Sequence, residues 1–292
     1  MPNVIVIGDK CTDKYVFGET TRLSPEQPVP VLDQTRIEER PGMAANVEVN
    51  LKAFGVNTVL LSQREQITKT RFIDTNSGYQ LMRLDETPKV GRIANAELKM
   101  ALMHMNPDAI VISDYDKGYI TEDDLWHLCH NFNRPVFVDT KKRRLFQKDN
   151  VFWKINKKEY NDLDKDHLPN DTHLIVTLGS AGATWAGTKF LPQVVKVFDV
   201  CGAGDTFMAA LVYEFLKTQN MQKSIDLANR AAAISVTHPG AYYLNQDDIE
   251  SLYGARNGQD SSKQSGLDAP EITSLVERSY MLRHSISGRV KR

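Results

Sequence analysis

Three cysteines in 292 residues, Cys11, Cys129 and Cys201, lie far apart, with no CxxC pair and no histidine at zinc spacing. That excludes a disulfide framework and a cysteine-rich zinc module, and the thiols read as reduced, in a cytoplasmic protein. Long apolar runs are lacking as well. The first, Val4–Ile7, stops at Gly8 and Asp9, too short for a secretory h-region, and no later stretch approaches the length of a transmembrane helix. Neither sign of charge dominates: 36 Lys and Arg against 37 Asp and Glu leave a formal net charge of −1. The chain therefore offers no global field for nucleic acid or an anionic membrane, and neither is expected as a partner. Two nucleotide motifs are missing. No GxxxxGK[ST] occurs, since Thr188 precedes Lys189 after Gly182, and a GxGxxG from Gly202 fails at Phe207.

What is present suits one large α/β domain or a domain with a small appendage: 41% hydrophobic and 25% charged residues allow a substantial core. Val4–Ile7 is a continuous β-branched run of the kind buried in parallel sheets, and similar runs recur at Thr58–Leu61, Ala109–Ile112, Val136–Val138 and Leu174–Val176. Helical periodicity at Ala94–His104 and Thr121–His130 lies between them. Strands alternating with helices predict a mainly parallel sheet covered on both faces, a three-layer α/β domain. Pro28–Leu32, Lys69–Ile73 and Tyr79–Leu84 read as strands without helices between them, predicting a small antiparallel sheet or flap at about 13–40 and 69–85. In the last third, Phe207, Ala210, Leu211 and Phe215 share one face of a helix, and Ile225, Ala228, Ala232 and Ser235 mark a second. Residues 1–253 are thus the expected domain. Residues 254–292 read as a linker, rich in Gly, Ser, Gln and Asp to Gly266, then a tail with a short helix at Glu271–Leu282.

The most informative stretch is Asp199-Val200-Cys201-Gly202-Ala203-Gly204-Asp205-Thr206, set between the β-rich run Val194–Phe198 and the Phe207 helix. Glycines at a strand-to-helix turn let backbone amides approach an anion, which the helix N-terminus favours. Asp205, in the first turn, is placed to take a proton from an incoming hydroxyl while Gly202, Ala203 and Gly204 hold a transferring phosphoryl group. The same residues also suit a glycine turn with an acidic start of purely structural purpose. Asn156 and Glu159, three apart after the strand-like Val151–Ile155, suit Mg²⁺ held through water. They equally suit a plain helix N-terminus.

These two elements, in this order, resemble the ribokinase-like (PfkB-type) sugar kinases, whose anion-hole motif maps onto Asp199–Asp205 with Val200 in place of threonine. Asn156 and Glu159 match that family's Asn-x-x-Glu. Thr177, Gly179 and Gly182 match its nucleotide-side turn, and Asn229, in Ala228–Ala233, matches a helix bordering the adenine. The segments Ile7–Asp9 with Asp13 and Tyr15, Ser24–Val31, Glu38–Gly42 with Ala44–Val47, Thr68–Arg71, Arg83–Asp85 and Ser113–Tyr115 with Lys117-Gly118 are similar to the heptose 7-phosphate kinases of that family. The resemblance implies an ATP- and Mg²⁺-dependent kinase acting on a small-molecule sugar or sugar phosphate, through the anomeric hydroxyl of a heptose 7-phosphate. Asp205 would be its base, and Asp13, Gly42 and Asn46 would meet the sugar. A second phosphate needs a basic anchor, for which Lys69, Arg71, Arg83, Lys117 and the run Lys141–Arg144 are candidates. Lys141 is favoured because Asp139-Thr140-Lys141 ends a strand. The flap would close over the sugar and offers a surface for a homodimer.

The chain departs from the family pattern at three places. Met43 stands where the pattern has glycine; a methionine resists positive φ and would project towards the sugar pocket. Only Ser62–Ile67 joins Leu61 to Thr68, where the family has a further helix and strand, so a sheet edge is expected to be trimmed. The tail has no His-x-Gly-His motif, so no nucleotidyl transfer is expected. The alternatives left open are another sugar or sugar phosphate as acceptor, and a non-catalytic nucleotide- or sugar-binding protein that keeps the fold.

Overall fold

In the computed structural model, which describes residues 1–254, the apolar runs become strands in the order that their burial requires. The chain runs β1 (Asn3–Gly8), β2 (Lys10–Leu23), β3 (Pro30–Met43), α1 (Ala44–Ala53), β4 (Asn57–Leu61), β5 (Thr68–Asp74) and β6 (Gln80–Glu86). It continues through α2 (Asn95–Met105), β7 (Ala109–Asp114), α3 (Glu122–Asn131), β8 (Val136–Thr140), β9 (Val151–Asn156) and α4 (Lys157–Asp162). Last come β10 (Leu174–Thr177), β11 (Ala183–Trp185), β12 (Thr188–Phe190), α5 (Ala203–Thr218), α6 (Met221–Ser235) and α7 (Gln246–Gly254). The linker and terminal-helix expectations fall beyond Gly254, outside the described residues.

Eight strands form one sheet in the order β12-β11-β10-β9-β8-β7-β1-β4. From β10 to β4 every pairing is parallel, and β11 and β12 add an antiparallel hairpin at one edge. Side chains alternate across a strand, so each strand feeds two cores. Val4, Val6, Val111 and Phe137 pack with α1, α5 and α6 on one face. Ile5, Ile7, Ile110, Ile112, Val138 and Trp153 pack with α2 and α3 on the other. The expected three-layer architecture, a mainly parallel sheet between helices, is therefore the observed one. β4, the strand before the short Ser62–Ile67 connection, is the sheet's outer edge.

The second sheet has the order β3-β2-β5-β6. It is mixed, not antiparallel as its residues suggest, because β2 and β5 pair in parallel. The chain leaves this sheet after β3, passes through α1 and β4, and re-enters at β5 in the same direction as β2. Its strands also reach further than the flap bounds of 13–40 and 69–85, to Lys10 and Met43. Its links to the main body include Ala241 N donating to Tyr15 Oη at 2.8 Å, Arg40 donating to the Pro239 carbonyl, and Arg71 Nη2 donating to Cys201 Sγ at 3.3 Å.

Three expectations are corrected. Val194–Phe198 is not a strand: residues 191–200 are irregular and Val194 is 97% exposed. Pro192 lacks an N–H, and Phe198 N and Asp199 N both donate to the single carbonyl of Val236, so no ladder forms. The α5 helix does not bury one face only; Asp205–Val212 are all buried, because α1 and α6 flank it on the sheet. Met43 does take positive φ, 58° with ψ −132°, and its side chain, 3% exposed, packs among Ile5, Ile7, Cys11 and Ile67 instead of entering a sugar pocket. Such backbone strain costs on the order of 1–3 kcal/mol, which burial of an apolar side chain, about 1.5–3 kcal/mol, offsets.

Candidate active site

Parallel strands all end on the same side of the sheet, and the polar residues that the sequence places at strand ends meet there. Asp199 begins the site by accepting from Cys201 N at 2.9 Å and Gly240 N at 3.0 Å, which closes the turn before α5. Gly202 has φ 76°, and a Cβ on it would stand 2.7 Å from Asn46 Nδ2 and 3.2 Å from Ala241 Cα. Only glycine fits that approach. Asp205 N and Thr206 N both turn back to the Gly202 carbonyl at 3.0 Å, leaving the Gly204 amide without a backbone acceptor among the described residues. The α5 N-terminus thus presents a free donor and a positive dipole end.

Asp205, 4% exposed, accepts from Tyr115 Oη at 2.8 Å on one oxygen and from Asn46 Nδ2 at 3.1 Å on the other. Burial pushes its carboxyl up to about 6, against the opposing pull of Asn46, Lys154 and Tyr115. Lys154 lies inside the site, 2.5 Å from Asp139 Oδ2 and 3.0 Å from where a Gly204 Cβ would stand. This leaves a carboxylate that ionises near neutral pH beside an amide turn and a buried cation. Such an arrangement has the chemistry to accept a proton and to hold an anion.

The second sheet contributes Asp13, buried on β2 and held by Arg71 Nη1 at 2.5 Å. Gly42 on β3, the register partner of Cys11, lies diagonal to it, and a Cβ there would stand 2.2 Å from Asp13 Oδ2. Arg71 reaches Cys201 as well, so Asp13 and the glycine turn share one guanidinium. Burial raises the Cys201 thiol to about 11, with Arg71 acting against it.

Asn156 and Glu159 form a reciprocal helix cap: Glu159 N donates to Asn156 Oδ1 at 2.9 Å, and Asn156 N donates to Glu159 Oε2 at 2.8 Å. The other Glu159 oxygen is ion-paired with Lys141. Burial works against the Lys141 charge, but Asp139 and Glu159 hold its ammonium above the usual lysine range. Its Nζ lies 5.0 Å from the Tyr115 ring centroid, and Lys69 Nζ lies 5.5 Å from the same centroid.

Thr177 closes β10, with Oγ1 donating to the Ile155 carbonyl at 3.3 Å. Gly179 and Gly182 both have positive φ, and a Cβ on Gly182 would stand 1.9 Å from the Phe190 carbonyl oxygen. Asn229, on α6, donates to that same oxygen at 3.3 Å. This group lies two strands away from β8, towards the hairpin edge. Arg83, on β6, is the register partner of Arg71 on β5 but is half exposed and paired with Asp85 at 2.8 Å, and it makes no hydrogen bond or ion pair to the buried group around Asp13 among the described residues.

Sequence reasoning missed Lys154, Asp139 and the hydroxyl of Tyr115. One signal was available: Lys154 interrupts the otherwise apolar run Val151–Ile155, and a charge inside a buried strand needs a partner. Among the described residues, no helix is long and apolar enough to cross a membrane.

Residues 152–248 match the pfkB family carbohydrate kinases, a span that includes Asn156, the glycine turn, Asp205 and Asn229. The bifunctional protein HldE of a Nitratiruptor species is 31% identical over 299 residues, covering 85% of this chain and 64% of that protein. The HldE protein of Methylobacillus flagellatus is 29% identical over 345 residues, covering 96% of this chain and 68% of that protein. The chain thus spans about two thirds of the length of these relatives. Among solved structures, the ribokinase of Thermotoga maritima superposes with a TM-score of 0.60 at 18% identity, covering 87% of this chain and 100% of the other. Phosphofructokinase-2 of Escherichia coli gives 0.65 at 14%, covering 88% and 100%. The turn that sequence and geometry single out lies inside the matched span, on a fold shared over 87% of this chain with the ribokinase structure, and residues 152–248 form a pfkB family carbohydrate kinase domain.

Proposed function

We propose that the chain transfers the γ-phosphoryl group of ATP to the anomeric hydroxyl of a heptose 7-phosphate, with Asp205 as general base. The observation that carries this reading is Asp205 itself, buried, two-fold hydrogen-bonded and ionising at about 6, beside the Gly202–Gly204 turn. A base with that midpoint is ionised at neutral pH yet basic enough to take the hydroxyl proton. The Gly204 amide and the start of α5 would hold the transferring group, and Lys154 would add a fixed positive charge. Asp13 and Asn46 would orient the sugar, since a site built to pair hydroxyls rejects analogues that leave its polar atoms unmet.

Magnesium bound with the nucleotide supplies neutralisation of phosphate charge. Both Glu159 oxygens and Asn156 Oδ1 already have partners, so these residues fit the ion through its own waters, as Mg²⁺ commonly allows. Thr177, Gly179, Gly182, Asp199 and Asn229 would border the nucleotide side. The second sheet, latched through Tyr15 and Arg40, would exclude water from the sugar. With Met43 buried in the core, nothing at that position argues for a non-catalytic binding protein.

Two ammonium groups beside one aromatic ring favour a phosphorylated acceptor. Turnover of ATP should be greatest with heptose 7-phosphate in a panel of free and phosphorylated sugars, and a preference for an unphosphorylated sugar would overturn this reading. Lys141→Ala should raise KM for the sugar phosphate about 10- to 100-fold, the worth of one hydrogen bond to a charged group, and change KM for ATP much less. An equal effect on ATP moves Lys141 to the nucleotide side.

A further inference from the structure

Tyr115 leaves the end of β7, and its backbone and side chain are both engaged. Its N–H donates to Asp9 Oδ2 at 2.8 Å, and Lys117 N donates to the same oxygen at 3.2 Å. One carboxylate just beyond β1 therefore fixes the loop that follows β7. The other oxygen of that carboxylate, Asp9 Oδ1, is buried with no hydrogen-bond partner among the described residues. Burial, ahead of the charge of Asp114, raises the Asp9 carboxyl above its ordinary value. A carboxylate kept in so costly a place needs a reason, and the strand pairing of β1 supplies none.

The far end of Tyr115 suggests one. Its hydroxyl donates to Asp205 Oδ1 at 2.8 Å while Asn46 Nδ2 holds Oδ2 at 3.1 Å. Two donors from different elements fix the carboxylate plane, and each oxygen keeps a free lone pair for a substrate hydroxyl. Burial, with the Asp205 charge behind it, pushes the phenol well above its ordinary range, so Tyr115 stays a donor and does not compete for the proton.

We propose that Tyr115, seated by Asp9, is the positioning residue that sets the orientation of Asp205 for proton abstraction. The inference rests on Asp205 being the base. In the step, the substrate O–H proton passes to Asp205 as the oxygen attacks the γ-phosphorus and the bond to the leaving phosphate breaks; Tyr115 keeps its own proton throughout. Asp205 is faced by Asn46 on α1, Lys154 on β9, Asp139 on β8, Lys141 after β8, Cys11 on β2 and Cys201 in the turn, and Tyr115→Phe leaves all of these in place.

The test is kcat against pH for wild type and Tyr115→Phe, with ATP and heptose 7-phosphate. Alongside it runs an NMR titration of 13Cγ-labelled aspartate, in which Asp205→Asn identifies the resonance. Losing a hydrogen bond to a charged group should move the Asp205 midpoint, and with it the acid limb of kcat, up from about 6 by roughly one unit. The kcat plateau should fall about tenfold, the fold-change one such bond represents, with KM for ATP unmoved. Asp9→Asn, which keeps an acceptor for both amides, should lose less than Asp9→Ala. If Tyr115→Phe leaves the midpoint and acid limb in place, the positioning role is refuted, even where an inactive Asp205→Asn upholds the base. If Asp205→Asn stays active, the base reading falls first. Should wild type turn over nothing, the titration alone decides whether Tyr115 governs Asp205.

Discussion

Asp205→Asn should lower kcat by at least about 100-fold, because a positioned general base contributes roughly 10²–10⁴ and an amide cannot take the proton. Nucleotide binding should survive, since the Gly202–Gly204 turn and the start of α5 remain. Removing a negative charge near the triphosphate would, if anything, tighten it. Steady-state turnover beside calorimetric ATP binding checks both halves. Normal turnover by the variant would show that the base is misassigned.

The same substitution has a second, opposite signature in stability. The Asp205 carboxyl sits at about 6 in the folded protein against an ordinary 3.8, so between those values the native state binds more protons than the unfolded chain. Stability therefore falls as pH rises through that window, by up to about 3 kcal/mol at 1.36 kcal/mol per unit. Activity rises through the upper part of that window as the base ionises. The amide that Asp205→Asn introduces does not titrate, so the stability of the variant relative to wild type should grow from about pH 4 to pH 6 and then level. Paired thermal melts across that range measure it, and a flat difference would mean that Asp205 is not held protonated by burial.

The parallel sheet could be read from sequence because a strand buried on both faces must be apolar throughout, as in Val4–Ile7 and Ala109–Ile112. Half of the site could be read for a related reason. Gly202, Gly204 and Asp205 act through backbone and position, and these are local. Lys154 and Tyr115 act through partners at Asp139 and Asp205, 15 and 90 residues away, and no local pattern records such pairings. Val194–Phe198 shows the converse. Its β-branched residues favour a strand, yet propensity forms none without a neighbour to pair with. Met43 marks the limit of backbone preference, which core burial overrode. The parallel pairing of β2 with β5 depends on an intervening passage through the main sheet, and strand composition is silent on direction.

Lys154→Met should damage both stability and catalysis. Lys154 is 4% exposed and its ion pair with Asp139 spans 2.5 Å, so the apolar variant strands a buried carboxylate. Breaking one partner of a buried pair costs about 3–5 kcal/mol, which for a domain of this size lowers Tm by roughly 6–20 °C at about 2–4 °C per kcal/mol. Catalysis should fail for a separate reason. Lys154 stands against Gly204 and its charge helps keep Asp205 ionised, so its loss weakens the anion site and raises the Asp205 midpoint together. A second change separates the two effects. Lys154→Met with Asp139→Leu replaces the pair by apolar groups, a substitution that is often neutral or stabilising in a buried setting. The double variant should therefore recover most of the lost Tm while kcat stays low. Recovery of both would make the pair purely structural, and a single variant with wild-type Tm and kcat would remove Lys154 from the site altogether.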